Sequence, residues 1–312
     1  MEFGLHLPAS SPGVTSEDLL RFVRQAEALG FYCVTVPDHV VIPKNISVSY
    51  PYTVDGKYPG AGYHLETLTT MAFLAGATRQ IRFVTSVMIA PYRNPIITAK
   101  MLASLDVLSN GRVIAGLGVG WMKEEFQSLK TPPFEDRGRV TDEYIRAFRE
   151  LWTKDTPVFA GKYCQFSDIV FLPKPVQKPS IPIWIGGHSK QALRRAAELG
   201  DGWHPIGGVP TIPLEPEDVA RDLEIIRAHA TKVGRNAKDI RVALKASMFD
   251  REKASTPGKR RRFTGSAEEI ASDMRDYAKV GVDTLVLDLR RPSPAETLER
   301  MEWMAKEVLV KV

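Results

Sequence analysis

The segment IRFVTSVMIAPYRNPIITAKMLASLDVLSNGRVIAGLGVG (81–120) carries the reading that sets the fold class, because its periodicity changes twice. Ile81–Ala90 is a short apolar run rich in β-branched residues, which predicts a strand. Helical spacing over Pro95–Leu108 follows, the turn Ser109-Asn110-Gly111 stops it, and Arg112–Leu117 is again strand-like. Outward from this strand–helix–strand unit the same alternation continues in both directions. Upstream, FGLHL (3–7) and YCVTV (32–36) flank a helix over Thr15–Gly30, with Ser16 as its expected cap and Gly30 as its stop. A further helix spans His64–Thr78. Downstream, helices over Lys123–Leu129 and Arg139–Trp152 precede the strand IPIWIG (181–186) and a helix over Ser189–Leu199. Gly202–Pro205, Ile240–Ala246 and Thr284–Leu289 are the last strands, interleaved with helices over Glu215–Val233, Ser266–Val280 and Pro294–Val310.

Eight strands, each followed by a helix, with no composition shift along 312 residues, predict one (β/α)8 TIM barrel over 1–312 rather than two doubly wound domains. Three insertions interrupt it: a Pro-, Gly- and Tyr-rich stretch at about 43–63, a segment at about 156–180 in which VFAGKYCQF reads as a hairpin, and a loop at about 246–262. Hydrophobic residues at 44% and charged residues at 25% exclude a disordered tail protein, a collagen-like repeat and a disulfide scaffold. The formal charge of +5 is too small and dispersed to point to nucleic acid, although it favours an anionic ligand. Cys33 and Cys164 read as free apolar fillers of a reducing compartment. No apolar stretch is long enough for a membrane span and MEFGLHLPASSPG lacks a signal-peptide core, so the expected setting is cytoplasmic with no membrane partner.

In such a barrel, chemistry sits at the strand C-termini. This singles out His6, Pro37-Asp38-His39, Ser86-Val87-Met88, Gly118–Glu125, Gly186–Ser189, His204, Lys245 and Asp288. GLGVG (116–120) lacks the third glycine of a dinucleotide fingerprint, no phosphate loop of the GxxxxGK[ST] type occurs, and the histidines form neither HxH nor HExxH, so no metal site is expected. Gly186-Gly187-His188-Ser189 opens a helix after an apolar strand and combines free N–H groups, the positive helix end and a hydroxyl, which suits a phosphate. A plain turn with Ser189 as a cap is the alternative. His39 is a candidate proton shuttle, or a loop histidine bonded to Asp38. Glu124 and Glu125 have an acid/base reading and a plainer one as solvated helix positions. Gly116, Gly118 and Gly120 let a flat ring lie on the strand backbone, or serve a tight crossing. Lys259-Arg260-Arg261-Arg262 is either a solvated basic loop or a draw for an anionic cofactor tail at the barrel mouth. Tyr50, Tyr52, Tyr58 and Tyr63 form a substrate lid or pack the insertion down.

The segments AEALGFYCVTVPDHV (26–40), 81–126, IPIWIGGHSKQALRRAAELGDGWHP (181–205) and FTGSAEEIASDMRDYAKVGVDTLVLDL (263–289) together resemble the luciferase-like monooxygenase superfamily, and within it the coenzyme F420-dependent oxidoreductase branch. The resemblance implies a luciferase-like TIM barrel holding F420, or alternatively FMN, at its strand C-termini. Asp38 and His39 fall on the pair beside the deazaflavin ring. Ser86 and Val87 fall on a strand bulge with a non-prolyl cis peptide behind that ring, and Gly186, Gly187, His188 and Ser189 on the phosphate turn. Gly118 is added as a cofactor contact. Where sugar-phosphate dehydrogenases of this family carry a catalytic Glu, this chain has Trp121, which argues against a sugar phosphate and for an aromatic wall. The implied reaction is hydride transfer between carbon 5 of the deazaflavin and a small-molecule substrate, with His39 as the catalytic proton donor or acceptor. The alternative is an FMN-dependent monooxygenase served by a partner flavin reductase, and a third reading is a flavin-binding barrel without catalysis. A homodimer is the expected assembly.

Overall fold

The computed structural model describes residues 1–60, 62–209, 211–247, 255–256 and 259–312. Eight parallel strands run in chain order: β1 (Glu2–His6), β2 (Cys33–Val36), β3 (Arg82–Thr85), β4 (Val113–Gly118), β5 (Ile183–Gly186), β6 (Gly202–His204), β7 (Arg241–Ser247) and β8 (Thr284–Asp288). Each pairs with the next, and β8 pairs with β1 through Phe3 opposite Leu285, so the sheet closes. The expected TIM barrel is the observed one. The helices are α1 (Ser16–Ala28), α2 (Thr67–Gly76), α3 (Pro95–Ser109), α4 (Lys123–Leu129), α5 (Arg137–Thr153), α6 (Lys190–Leu199), α7 (Pro216–Lys232), α8 (Ala267–Lys279) and α9 (Pro294–Trp303).

Cys33, Val84, Ile114, Trp184, Ala243 and Val286 form one buried cluster contributed by β2, β3, β4, β5, β7 and β8, filling the barrel interior. β1 and β6 answer with glycines. A Cβ on Gly4 would meet Cys33 Sγ at 2.5 Å, and one on Gly202 would meet Trp184 Cδ1 at 2.5 Å. Burial pushes the Cys33 thiol up, in keeping with a packing role. A second, larger cluster joins the outer faces of the strands to the helices.

Local differences from the sequence expectations have local causes. Thr15, not Ser16, caps α1, because its hydroxyl accepts from Asp18 N while Asp18 returns a bond to Thr15 N. α2 starts at Thr67 rather than His64, with the Glu66 carboxylate accepting from Thr69 N at 2.7 Å. The last helix stops being α-helical at Trp303 and continues as a π turn and a 3-10 turn. The hairpin is present, Phe159 pairing with Phe166 and Ala160 with Gln165. The strand expected over Ile81–Ala90 breaks after Thr85: the Ser86–Val87 peptide is cis, and Met88–Ile89 then resumes pairing with β4. Among the described residues no helix is long and apolar enough to cross a membrane.

Candidate active site

A cavity of about 620 Å³ opens at the C-terminal ends of the strands. His6 reaches it from β1, Asp38 and His39 from the end of β2, and Ser86 and Val87 from the end of β3. Gly186 and Gly187 follow β5, His204 ends β6, Lys245 is on β7 and Asp288 on β8. These are the positions picked out as strand ends. Gly118, His188 and Ser189 are not among the described lining residues.

His39 is held by a residue far away in the chain. Its Nδ1 lies 2.7 Å from Glu125 Oε2. Glu125 is on α4 and fully buried, so the solvated-helix reading of this glutamate is corrected. Its carboxylate also accepts the backbone N–H groups of Val40 (2.8 Å) and Val41 (3.2 Å) and the Tyr92 hydroxyl (2.9 Å). Carboxylate oxygens that accept from four donors place the imidazole proton on Nδ1, and His39 Nε2 is left toward the cavity with no protein partner among the described residues. Glu124, by contrast, is partly buried and faces the 43–63 insertion, where its Oε1 accepts from Ser47 N at 2.8 Å.

Asp38 does not bond His39, which corrects the simplest reading of their adjacency. Its two oxygens take a bidentate fork from Arg93, at 2.8 and 2.7 Å, together with Ile89 N (2.8 Å) and the Thr67 hydroxyl (2.9 Å). The pair ties the end of β2 to the start of α3. Arg93 also reaches Glu66 at 3.0 Å.

The cis peptide puts Val87 against the glycines. A Cβ on Gly118 would meet Val87 Cγ2 at 2.5 Å, one on Gly186 would meet Val87 Cγ1 at 2.8 Å, and one on Gly116 would collide with the Thr85 carbonyl. The glycines therefore admit the β3 bulge, and it is Val87, not the Gly118 backbone, that faces the cavity. Ser86 Oγ is 2.9 Å from His204 Nε2, and His204 Nδ1 is 2.5 Å from the Ala243 carbonyl. Because a carbonyl only accepts, His204 donates from Nδ1 and accepts the Ser86 hydroxyl at Nε2. Burial, only partly opposed by the Ala243 bond, lowers His204 to about 4, so it is neutral at pH 7.

Gly187 has φ +98°, a left-handed conformation that a side chain would strain. Ser189 caps α6, its hydroxyl accepting from Ala192 N at 3.2 Å. Among the described residues, His188 Nδ1 is buried with no hydrogen-bond partner. Over the opening, Tyr50, Tyr58 and Trp121 pack together, with Tyr50–Trp121 centroids 5.0 Å apart and Tyr58–Trp121 5.8 Å. Tyr52 joins them, 5.2 Å from Tyr50, whereas Tyr63 does not line the cavity. Tyr58 also donates to or accepts from His64 Nε2 at 2.8 Å, and burial followed by the neighbouring His39 lowers His64 to about 4. The sequence reading passed over His64, Tyr92, Arg93 and Arg290; the only local signal was polar residues next to a strand end.

Arg260 and Arg262 of the basic run are not among the described cavity-lining residues. Arg260 forks onto Asp273 (2.8 and 2.7 Å), and Arg262 reaches Glu215 (2.5 Å) and Asp276 (3.1 Å), stitching α7 to α8. Arg261 is also engaged. Lys259's side chain and most of the 246–262 insertion lie outside the described residues.

Residues 1–256 match the family model described as luciferase-like monooxygenase. The uncharacterized protein Rv0940c of Mycobacterium tuberculosis H37Rv is 30% identical over 299 residues, covering 93% of this chain and 93% of that protein. An FMNH(2)-dependent dimethylsulfone monooxygenase of Pseudomonas putida is 33% identical over 181 residues, 57% of this chain and 49% of that protein. An F420-dependent secondary alcohol dehydrogenase, solved in complex with an F420-acetone adduct, has the same fold, with a TM-score of 0.77 over 100% of this chain and 98% of that chain at 20% identity.

Proposed function

This chain belongs to the luciferase-like monooxygenase family, and from that premise we propose that it acts as one barrel domain transferring a hydride between coenzyme F420 and a small organic substrate. The observation that carries the reading is His39: Glu125 fixes its Nδ1 proton and leaves Nε2 open to the cavity. That nitrogen takes the proton from a substrate hydroxyl on oxidation and returns it to a carbonyl oxygen on reduction. Asp38 and Arg93 hold the β2 end that presents His39, so they are positioning residues.

The donor set fits a phosphorylated, flat-ringed cofactor. Among the described residues His188 Nδ1 is a buried nitrogen lacking a partner beside the Gly186-Gly187 turn, and α6 with its unbonded first N–H groups begins directly after it. Gly186, Gly187, His188 and Ser189 would hold the phosphate, and Ser86, Val87, Asp38 and His39 would flank the ring. When bound, the deazaflavin would supply a ring carbon that gives or takes hydride, and having carbon where a flavin has ring nitrogen 5 would disfavour oxygen activation. The Tyr50, Tyr58 and Trp121 lid keeps bulk water from the substrate.

A second reading is supported by the similarity to the dimethylsulfone monooxygenase: FMN reduced by a partner flavin reductase and reacting with oxygen. Titrating the purified chain with F420 and with FMN separates them. The expected result is tighter binding of F420 and substrate-dependent bleaching or recovery of its absorbance without oxygen uptake. Tighter FMN binding with oxygen-dependent turnover overturns the hydride-transfer reading in favour of the second.

We also propose a cytoplasmic homodimer. Ile97, Met101 and Leu108 fall on one face of α3 at helical spacing and, with Phe73 of α2, remain exposed, Leu108 to 77%. A second copy covers this face. Sedimentation equilibrium at micromolar concentration should give twice the 34.7 kDa chain mass. The double substitution Ile97→Glu with Leu108→Glu should give the chain mass; a monomeric unmodified chain removes the dimer.

A further inference from the structure

We propose that Lys245 anchors a carboxylate of the substrate, making the β7–β8 side of the cavity an anion subsite. The inference rests on the reading that this cavity receives the substrate. Lys245 lines the cavity from β7, and among the described residues its Nζ makes no hydrogen bond to the protein. Most polar groups beside it are already engaged elsewhere. Asp288 accepts Arg290 on both oxygens, Nε to Oδ1 at 2.8 Å and Nη2 to Oδ2 at 2.6 Å. His6 Nδ1 is 3.1 Å from the Thr35 hydroxyl, and both nitrogens of His204 are used by Ala243 and Ser86. Arg290 turns its remaining arm to Ser10 Oγ at 3.3 Å.

The charges on this wall do not balance. Lys245 and Arg290 face the single carboxylate of Asp288, while His6 is pushed down first by burial and then by Lys245 and Arg290, and His204 by burial with a smaller push from Lys245. One positive charge is left over, and it belongs to the side chain with three free donors. An ammonium withdrawn from water needs an acceptor. A monoanion matches one surplus cation; a phosphate dianion would need a second, and Arg290 is committed to Asp288. The aromatic cluster of Tyr50, Tyr58 and Trp121, which also lines the cavity, adds a preference for a flat carbon skeleton. The substrate class is therefore an aromatic or alicyclic carboxylic acid bearing the reacting hydroxyl or carbonyl.

The ammonium is a titrating anchor. Burial, opposed by Asp288 and assisted by Arg290, pushes Lys245 down to about 8. It is mostly charged at neutral pH, and carboxylate affinity declines once pH rises above that value.

Isothermal titration calorimetry with benzoate, benzamide and inorganic phosphate tests this on the full chain, first without cofactor and then with saturating F420 or FMN. Benzoate is expected to bind at least about tenfold more tightly than either of the others at pH 7, and to weaken steadily between about pH 8 and 9.5. Lys245→Met should erase the preference over benzamide, and Lys245→Arg should keep most of it. Equal affinity for benzoate and benzamide, phosphate binding as tight as benzoate, or undiminished benzoate binding by Lys245→Met overturns the assignment. Should Lys245→Met fail to fold by circular dichroism, the pH series on the unmodified chain decides, and a flat profile overturns it. The benzoate preference needs no cofactor and no turnover. A chain that shows it yet binds neither cofactor loses the hydride-transfer reading and keeps the anion subsite; the opposite pair of results does the reverse.

Discussion

His39→Asn is expected to lower turnover by about 10²- to 10⁴-fold, the range over which a positioned acid/base contributes. Cofactor affinity should stay within a few-fold, because the side chain that is lost carries the proton and not the phosphate. Asn keeps a donor for Glu125, so the loop geometry survives, yet it offers no basic nitrogen to take a proton where His39 Nε2 stands. Steady-state rates, cofactor titration and circular dichroism on the same preparation separate chemistry from folding. A rate within a factor of three of the unmodified chain ends the proton-transfer role. Glu125→Gln is the companion variant: with only one accepting oxygen for four donors, it should shift the limb of the pH–rate profile that reports His39 and lower kcat less than His39→Asn does. A uniform loss of active protein with an unmoved pH profile would mark Glu125 as a folding residue only.

Asp38→Ala should cost about 3–5 kcal/mol of folding stability, which places it among the most damaging single changes available to this chain. The carboxylate is completely buried, and its partner Arg93 is only 15% exposed. Removing Asp38 leaves a guanidinium without its fork and also strands the amide of Ile89, while the Thr67 hydroxyl keeps the Pro37 carbonyl as its acceptor. Equilibrium urea unfolding measures the loss directly. The double variant Asp38→Ala with Arg93→Met should recover part of it, since the penalty comes from the unpaired charge as much as from the lost bonds. A loss below about 1 kcal/mol is the behaviour of a solvated surface pair and contradicts the buried geometry.

The two predictions sit on neighbouring residues, Asp38 and His39, and they show where sequence reading stops. Both were recognisable as strand-end residues on the active face. Their roles were not, because each role is set by a partner brought in by barrel closure, 55 residues away for Arg93 and 86 for Glu125. Glu125 sits beside Glu124 on a short helix, and nothing in local spacing tells the buried one from the one bonded to Ser47. The glycines of β4 were open to a ring-cradle reading until Val87 was seen to occupy the space a Cβ on Gly118 or Gly186 would need. The arginines at 260 and 262 were open to a steering role until the carboxylates of α8 were found against them.

By itself the sequence determined the barrel, the order of its strands and helices, and which residues end each strand. Strand and helix periods are written in neighbouring residues, and a parallel strand–helix alternation has few ways to close. The Gly186–Ser189 turn was legible for the same reason, being a strand end, two glycines and a cap in direct succession. Only the tertiary structure decided which charges are spent and which are free. Arg93, Arg260, Arg262 and Arg290 all pair with carboxylates, whereas among the described residues Lys245 makes no hydrogen bond or ion pair and His39 keeps one nitrogen open. That outcome depends on distances of a few ångströms between residues far apart in the chain, and a hydrogen bond or ion pair exists only at those distances.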